Sequence, residues 1–441
     1  MERLLHYVWN YRLFPLQPLQ TTQGLSVEIL DTGLINRDAG PDFFNAKIKI
    51  GGVLWVGNVE LHRRASDWFR HGHDQDPAYS SVILHVVEVE DALIPRPDGE
   101  LIPQMILKVP PYVEENYHLL AHPADLSRPA CADVLPNIPA LKKHTWLSSL
   151  VYERLEQKVE AIQQRLDAVE QDWERAFFIT LARNFGFGVN SDAFEQWART
   201  IPTVILNKHR DDRKQIEALF FGRAGLLTTA AGEKAAPDDY ARDLLKEYEY
   251  LAYKYSLDGS EFGAEGREVS GAHAVPMYRM LRLRPSNFPH LRLAQLADLY
   301  CRKPFLFSEL MDAATLEEAC SLLECKADGY WRTHLHFGVE TKEAPRPMSI
   351  SSLRLLVINT VVPFLYAYGR YRGNSVMTDR ATAFLESLPP EENRIIRSWR
   401  SLGLVCEHAA DSQALIQLSR EYCDKRKCLF CAFGYEFMKR K

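Results

Sequence analysis

The stretch richest in groups that can do chemistry runs Asn36-Arg37-Asp38-Ala39-Gly40-Pro41-Asp42-Phe43-Phe44 and continues at Trp55-Val56-Gly57-Asn58-Val59-Glu60-Leu61-His62. Asp42 opens one predicted strand, and Glu60 and His62 end the next. Residues i and i+2 of a strand share a face, so Glu60 and His62 point the same way. Pairing of the two strands puts Asp42 beside Glu60. Two converging carboxylates suit a hard divalent cation such as Mg²⁺, or Mn²⁺, which polarises a phosphate and acidifies an attacking water. A second group follows at once: His71-Gly72-His73-Asp74-Gln75-Asp76, with Tyr79 and His85. Two histidines at i and i+2 with Asp76 can bind Zn²⁺, and His62 can join them. A third lies near the C-terminus, where Cys423, Cys428 and Cys431 follow Cys406. Thiolates at that spacing suit structural Zn²⁺ or an iron–sulfur cluster.

The elements that must position these groups differ along the chain. Residues 1–110 alternate and carry glycine turns. Val27–Asp31, Phe43–Ile50, Val53–His62, Val82–Val89 and Leu101–Val109 read as strands, with Gly51-Gly52 as a hairpin turn. Ile83–Val87 is apolar at nearly every position, the mark of a strand covered on both faces. Helical periods occur at Leu4, Leu5, Val8 and Trp9 and around Ser66–His73, giving the succession α-β-β-β-α-β. Residues 111–140 are proline-rich and read as a wrapped linker. From Leu141 the apolar period becomes 3.6, beginning with one long helix through Leu150, Leu155, Val159, Ile162, Leu166 and Val169. Loops are expected at Thr228–Asp238 and Leu257–Gly271. The expected organisation is an α/β module over 1–110, a linker over 111–140, an all-α region over 141–405 and a cysteine-rich metal-binding segment over 406–441.

Gly40-Pro41-Asp42, the 18 positions to Glu60 and the Glu-x-basic tripeptide within α-β-β-β-α-β resemble the PD-(D/E)XK nuclease superfamily. The resemblance covers roughly the first 110 residues and implies a restriction-endonuclease-like mixed sheet. It makes Asp42 and Glu60 the ligands of Mg²⁺ or Mn²⁺ and sets His62 in the place of a lysine that helps to activate water. Glu2 would be the additional helical acid of some members. Over its whole length the chain also resembles an uncharacterised bacterial family with a GPDF…VELH…SDW…HGH opening and the same cysteine tail, which brings architecture and no mechanism.

Three functions follow as expectations. The first is a metal-dependent nuclease using Asp42, Glu60 and His62. The second is a catalytically degenerate nucleic-acid-binding or scaffold protein of the same architecture. The third is a Zn²⁺ hydrolase built on His71, His73 and Asp76. Nucleic acid, DNA or RNA, is the expected partner, although the net charge of −5 excludes a polybasic coat. Residues 1–110 hold 10 Lys and Arg against 14 Asp and Glu, so phosphate contacts must come from elsewhere. Arg279, Arg282, Arg284 and Arg292 are the candidates, with the basic tail Lys425-Arg426-Lys427 and Lys439-Arg440-Lys441. No P-loop, GxGxxG or GxSxG run occurs. The N-terminus lacks the features of a signal peptide, and Leu355–Gly369, interrupted by Asn359 and Pro363, reads as a buried helix rather than a membrane span. The expected location is cytoplasmic.

Overall fold

Leu4, Leu5, Val8 and Trp9 fall on one side of the first helix, α1 (Glu2–Asn10), and all four are buried. In the computed structural model α1 packs on the strand Val53–Arg64, as the early apolar period predicts. The structure describes residues 2–14, 18–36, 38–122, 125, 128–227, 238–257 and 276–440. They form two units: Met1–Trp146 with Ser398–Leu404 and Leu418–Lys441, and Leu147–Arg397 with Val405–Gln417.

Unit 1 is built on one mixed sheet. Its strands are β1 (Leu19–Gln20), β2 (Ser26–Asp31), β3 (Leu34–Ile35), β4 (Phe43–Ile50), β5 (Val53–Arg64), β6 (Val82–Val89) and β7 (Gln104–Ile106). They lie in the order β1-β2-β4-β5-β6-β7, with β3 pairing with β4. From β1 to β5 neighbours are antiparallel; β5–β6 and β6–β7 are parallel. Gly51 and Gly52, both at positive φ, close the β4–β5 hairpin. Helix α2 (Asp67–Arg70) lies in the crossover from β5 to β6. Val82 to Val87 are all buried, as a strand covered on both faces requires.

The proline-rich stretch is not simply a linker. Pro110 and Pro111 start an 11-residue helix, α3 (Pro111–Ala121), because proline is pre-set for a helix's first turn, where its missing N–H costs nothing. A short 3₁₀ turn follows at Ala132–Asn137. The chain's end belongs to unit 1 as well. Its last helix, Ala432–Met438, packs on α3 and on that turn, and Asn116 Nδ2 donates to the carbonyls of Met438 and Arg440 at 3.2 and 2.8 Å.

Unit 2 is helical. It holds most of α4 (Ala140–Ala168), then α5 (Trp173–Phe185) and α6 (Ser191–Arg199), around a core with Phe177, Phe178, Phe194, Trp197, Phe220 and Trp331. One helical run, Ile350–Arg372, is long and apolar enough to cross a membrane, and it is mostly buried within the unit. Pro363 has no N–H for the Asn359 carbonyl four residues back, and Asn184 Nδ2 donates to that oxygen at 2.9 Å. The loops expected at 228–238 and 257–271 lie almost wholly outside the described residues.

Candidate metal centre

The β4–β5 register pairs Phe43 with Val59, which sets Asp42 against Glu60. Each carboxylate is then fixed by a backbone N–H on the other's side of the ladder. The Asp42 N–H donates to Glu60 Oε2 at 3.0 Å, and the Leu61 N–H donates to Asp42 Oδ2 at 2.9 Å. The ladder shifts between Phe43 and Ala46, where Asn45 has φ 56°. Such a bulge bends the strand beside the centre and re-aims its side chains.

Glu60 and His62 share a face and are both buried. Beyond β5 the chain turns through α2, and the Asp67 carboxylate accepts from the Arg64 N–H. The His71 and His73 N–H groups then bond the Asp67 and Trp68 carbonyls, which folds this short loop back over His62. His73 stacks on Tyr79 with ring centroids 3.8 Å apart. The parallel β5–β6 register brings His85 beside Glu60, and α1 brings His6 to Asp42 Oδ2, with Nε2 at 3.2 Å.

The two motifs that are separate in the sequence thus form one centre. Glu60 Oε1 lies 3.4 Å from His62 Nε2 and 3.2 Å from His73 Nε2. His62 Nε2 is 3.2 Å from His71 Nδ1, and one ring nitrogen from each of His62, His71 and His73 falls within 4.8 Å of the others. Bonds of about 2.1 Å in a tetrahedron separate neighbouring ligand atoms by roughly 3.4 Å, which is close to the Glu60–His62, Glu60–His73 and His62–His71 spacings; the three groups that converge on one point are His62, His71 and His73. Behind them His62 Nδ1 meets His85 Nε2 at 2.9 Å. A proton on Nδ1, donated to His85, leaves the His62 Nε2 lone pair facing Glu60 and His71. Trp68 closes the far side, its ring near both His73 and His85. His71 is exposed, so the centre opens to solvent on that side.

The electrostatics follow from burial. Loss of solvent and the surrounding imidazoles, His85 foremost, push His62 down to about 2. Burial and His73 bring His85 down to about 4. Burial raises Glu60, against the hydrogen bonds it receives from His73 and the Asp42 N–H. Burial also opposes charge on His6, but the bond to Asp42 and the Asp42 charge outweigh it, and His6 is raised. An imidazole held as low as His62 is a weak base and a good neutral ligand, so its position suits holding an ion better than taking a proton from water.

Other expected residues fall elsewhere. Asp76 caps the Pro77–Ser81 turn by accepting from the Ala78 N–H, a local use that an Asp-Pro sequence favours. Glu2 stands one turn before His6, and the side chain that α1 gives to Asp42 is His6. His6 has no motif around it and its role comes from helix packing; His85, named with the second group, reaches the centre through parallel register. Of the nearby lysines, Lys49 pairs with Glu28 and Lys47 is exposed.

Arg292 corrects the expected phosphate patch. It is buried in unit 2, lies over the Phe187 ring at 4.2 Å and donates to Gln295 and Asn287. Its two terminal nitrogens are spent within the unit, on Gln295, Asn287 and Ser352. Arg279, Arg282 and Arg284 are exposed. In the basic tail Lys425 pairs with Glu421, Lys439 with Glu436, and Arg440 bonds Asn116.

Among the cysteines, Cys423, Cys428 and Cys431 lie in unit 1 and Cys406 in unit 2.

Residues 2–394 match a family described as a protein of unknown function, DUF2851. The chain belongs to this family. The matched region contains every residue of the histidine-rich centre and stops short of the cysteines from Cys406 onward. No curated protein and no solved structure matches the chain.

Proposed function

We propose that unit 1 is a metal-dependent phosphodiester hydrolase of nuclease type, with Glu60, His62, His71 and His73 as ligands and Asp42 fixing Glu60. The observation that carries this reading is the convergence of Glu60 Oε1 with the ring nitrogens of His62 and His73, at 3.4 and 3.2 Å. A donor set with three imidazoles favours Mn²⁺ or Zn²⁺ over the Mg²⁺ that two carboxylates alone suggest. Bound there, the ion supplies Lewis-acid polarisation of a phosphate oxygen and a more acidic water. Asp42, through its N–H, keeps Glu60 turned toward the histidines, and His85 sets the ring of His62. Nucleic acid as substrate is supported by the order α1, β2, β4, β5, α2, β6, which follows the α-β-β-β-α-β succession of the PD-(D/E)XK resemblance, and by the exposed Arg279, Arg282 and Arg284.

One observation favours a second reading, a binding protein that does not cleave. Position 62 carries a neutral imidazole where the resemblance has lysine, and neither Lys47 nor Lys49 substitutes for it.

The test is a cleavage assay on labelled single- and double-stranded DNA and RNA with Mn²⁺, Zn²⁺, Mg²⁺ or EDTA, comparing wild type with Glu60→Gln and His73→Ala. Expected is cleavage supported best by Mn²⁺ or Zn²⁺, abolished by EDTA, and reduced more than about 100-fold in both variants, since losing even an outer partner of a metal site costs ~10–100-fold. Cleavage that survives EDTA or both substitutions would sink the metal mechanism. Metal-independent binding without cleavage would establish the second reading instead.

A further inference from the structure

Four cysteines of unit 1 stand at the ends of short elements that pack on one another. Cys131 immediately precedes the turn Ala132–Asn137, and Cys431 immediately precedes the helix Ala432–Met438; turn and helix are in contact. Cys428 opens the turn Cys428–Phe430, which packs on that same helix and on the segment Leu418–Cys423, whose last residue is Cys423. The side chains also lie within electrostatic reach of one another: Cys423 of Cys131, Cys428 and Cys431, and Cys131 of Cys428 and Cys431. Cys131 and Cys431 are buried, Cys423 and Cys428 half-buried, and all four are thiols outside any disulfide.

The backbone around them has the form of a thiolate-binding turn. The N–H groups of Phe433 and Gly434 and the Trp146 side chain donate to Cys431 Sγ, as donors do to a thiolate. The Cys431 N–H closes a tight turn on the Cys428 carbonyl at 3.2 Å. Gly434 is required there, since a Cβ would stand 2.0 Å from the Cys428 oxygen. Between Cys423 and Cys428, Arg426 adopts φ 51°, a left-handed turn within the short loop that joins the two cysteines.

We infer that Cys131, Cys423, Cys428 and Cys431 form a four-thiolate metal centre, binding Zn²⁺ or an iron–sulfur cluster, with Cys131 as the fourth ligand. Cys131 lies 292 residues before Cys423 in the chain, so no local spacing reveals it. The centre joins the segment after α3 to the C-terminal helix, and metal binding there contributes directly to the folding of unit 1. It is independent of the histidine-rich site.

The experiment is metal and acid-labile sulfide analysis of the full chain with visible absorption, on wild type and on His73→Ala, which removes a ligand of the histidine-rich site, the latter alone and as the background for Cys131→Ser and Cys406→Ser. Expected is a metal retained in Cys406→Ser and His73→Ala and lost in Cys131→Ser. Colourless zinc or visibly absorbing iron with sulfide tells the two sources apart. Because Cys131→Ser can also fail to fold, wild type is titrated with a mercurial reagent, and metal release must run in step with four thiols. Metal retained in Cys131→Ser, or lost in Cys406→Ser, overturns the assignment. So does a wild-type protein whose thiols react without releasing metal.

Discussion

Four imidazoles packed beside one buried carboxylate bring ring nitrogens face to face, His62 with His85 and with His71. Burial and mutual repulsion hold His62 at about 2 and His85 at about 4, so both rings stay neutral across the working range of pH. Neutral rings with fixed orientation are what a metal needs from histidine. His85 is the residue behind the ligand, touching His62 Nδ1 at 2.9 Å. His85→Ala is expected to lower the affinity for Mn²⁺ or Zn²⁺ by ~10–100-fold, read by calorimetric titration against the wild type. Unchanged affinity in a folded variant would remove His85 from that role. Asp42, Glu60, His62, His71 and His73 were all legible in the sequence, but as two motifs. Their union depends on the return of the α2 loop, and the parts of His6 and His85 depend on packing and register, which no local pattern encodes. Arg292 shows the reverse limit: a charge in a basic run looks solvated until Phe187, Asn287 and Gln295 are seen around it.

At the scale of elements, the β2, β4, β5 and β6 strands and the Gly51-Gly52 turn were legible because period-two patterning and paired glycines act locally. The two-residue strands β1 and β3 are too short to carry a period, and Pro110-Pro111 hid a helix start inside a linker. The joining of the helices was also unreadable. In unit 2, Arg165 of α4, Arg183 of α5 and Arg199 of α6 converge on Glu195 at 2.8, 2.8 and 2.7 Å. Burial alone would raise Glu195, yet the three arginines, Arg165 foremost, hold it at about 2, below the ordinary 4.5. A depressed carboxylate stabilises the fold above its unfolded pKa and loses that contribution as pH falls through the folded value. Glu195→Gln is therefore expected to cost on the order of 2 kcal/mol near pH 7, and the gap to wild type is expected to narrow below about pH 4.5. Urea titrations of both proteins at pH 7 and pH 3 read it directly. A gap that is unchanged or wider at pH 3 would contradict the assigned clamp.

For the whole molecule the decisive quantity is where positive charge remains available. The chain carries −5 and its first 110 residues hold more acids than bases, so the sheet-bearing part of unit 1 offers a polyanion no net positive charge. Much of the downstream basic charge is already engaged: Arg292 by packing, Arg302 by Asp298 at 2.9 Å, and Lys425 and Lys439 by neighbouring acids. Arg279, Arg282 and Arg284 stay exposed in the chain before the helix Pro289–Arg302. If they neutralise phosphates, replacing all three with serine releases fewer counterions on binding. The slope of log affinity against log salt is then expected to fall by roughly 2 for single strands and about 2.7 for duplex. Metal binding by the histidine-rich centre is expected to stay as in wild type, since no residue of that centre is changed. Fluorescence anisotropy across a salt series measures the slope, with calorimetry on the same variant for the metal. A slope identical to wild type would move the phosphate contacts off these arginines and leave unit 1 in need of another source of positive charge, with His6 beside Asp42 the first to examine.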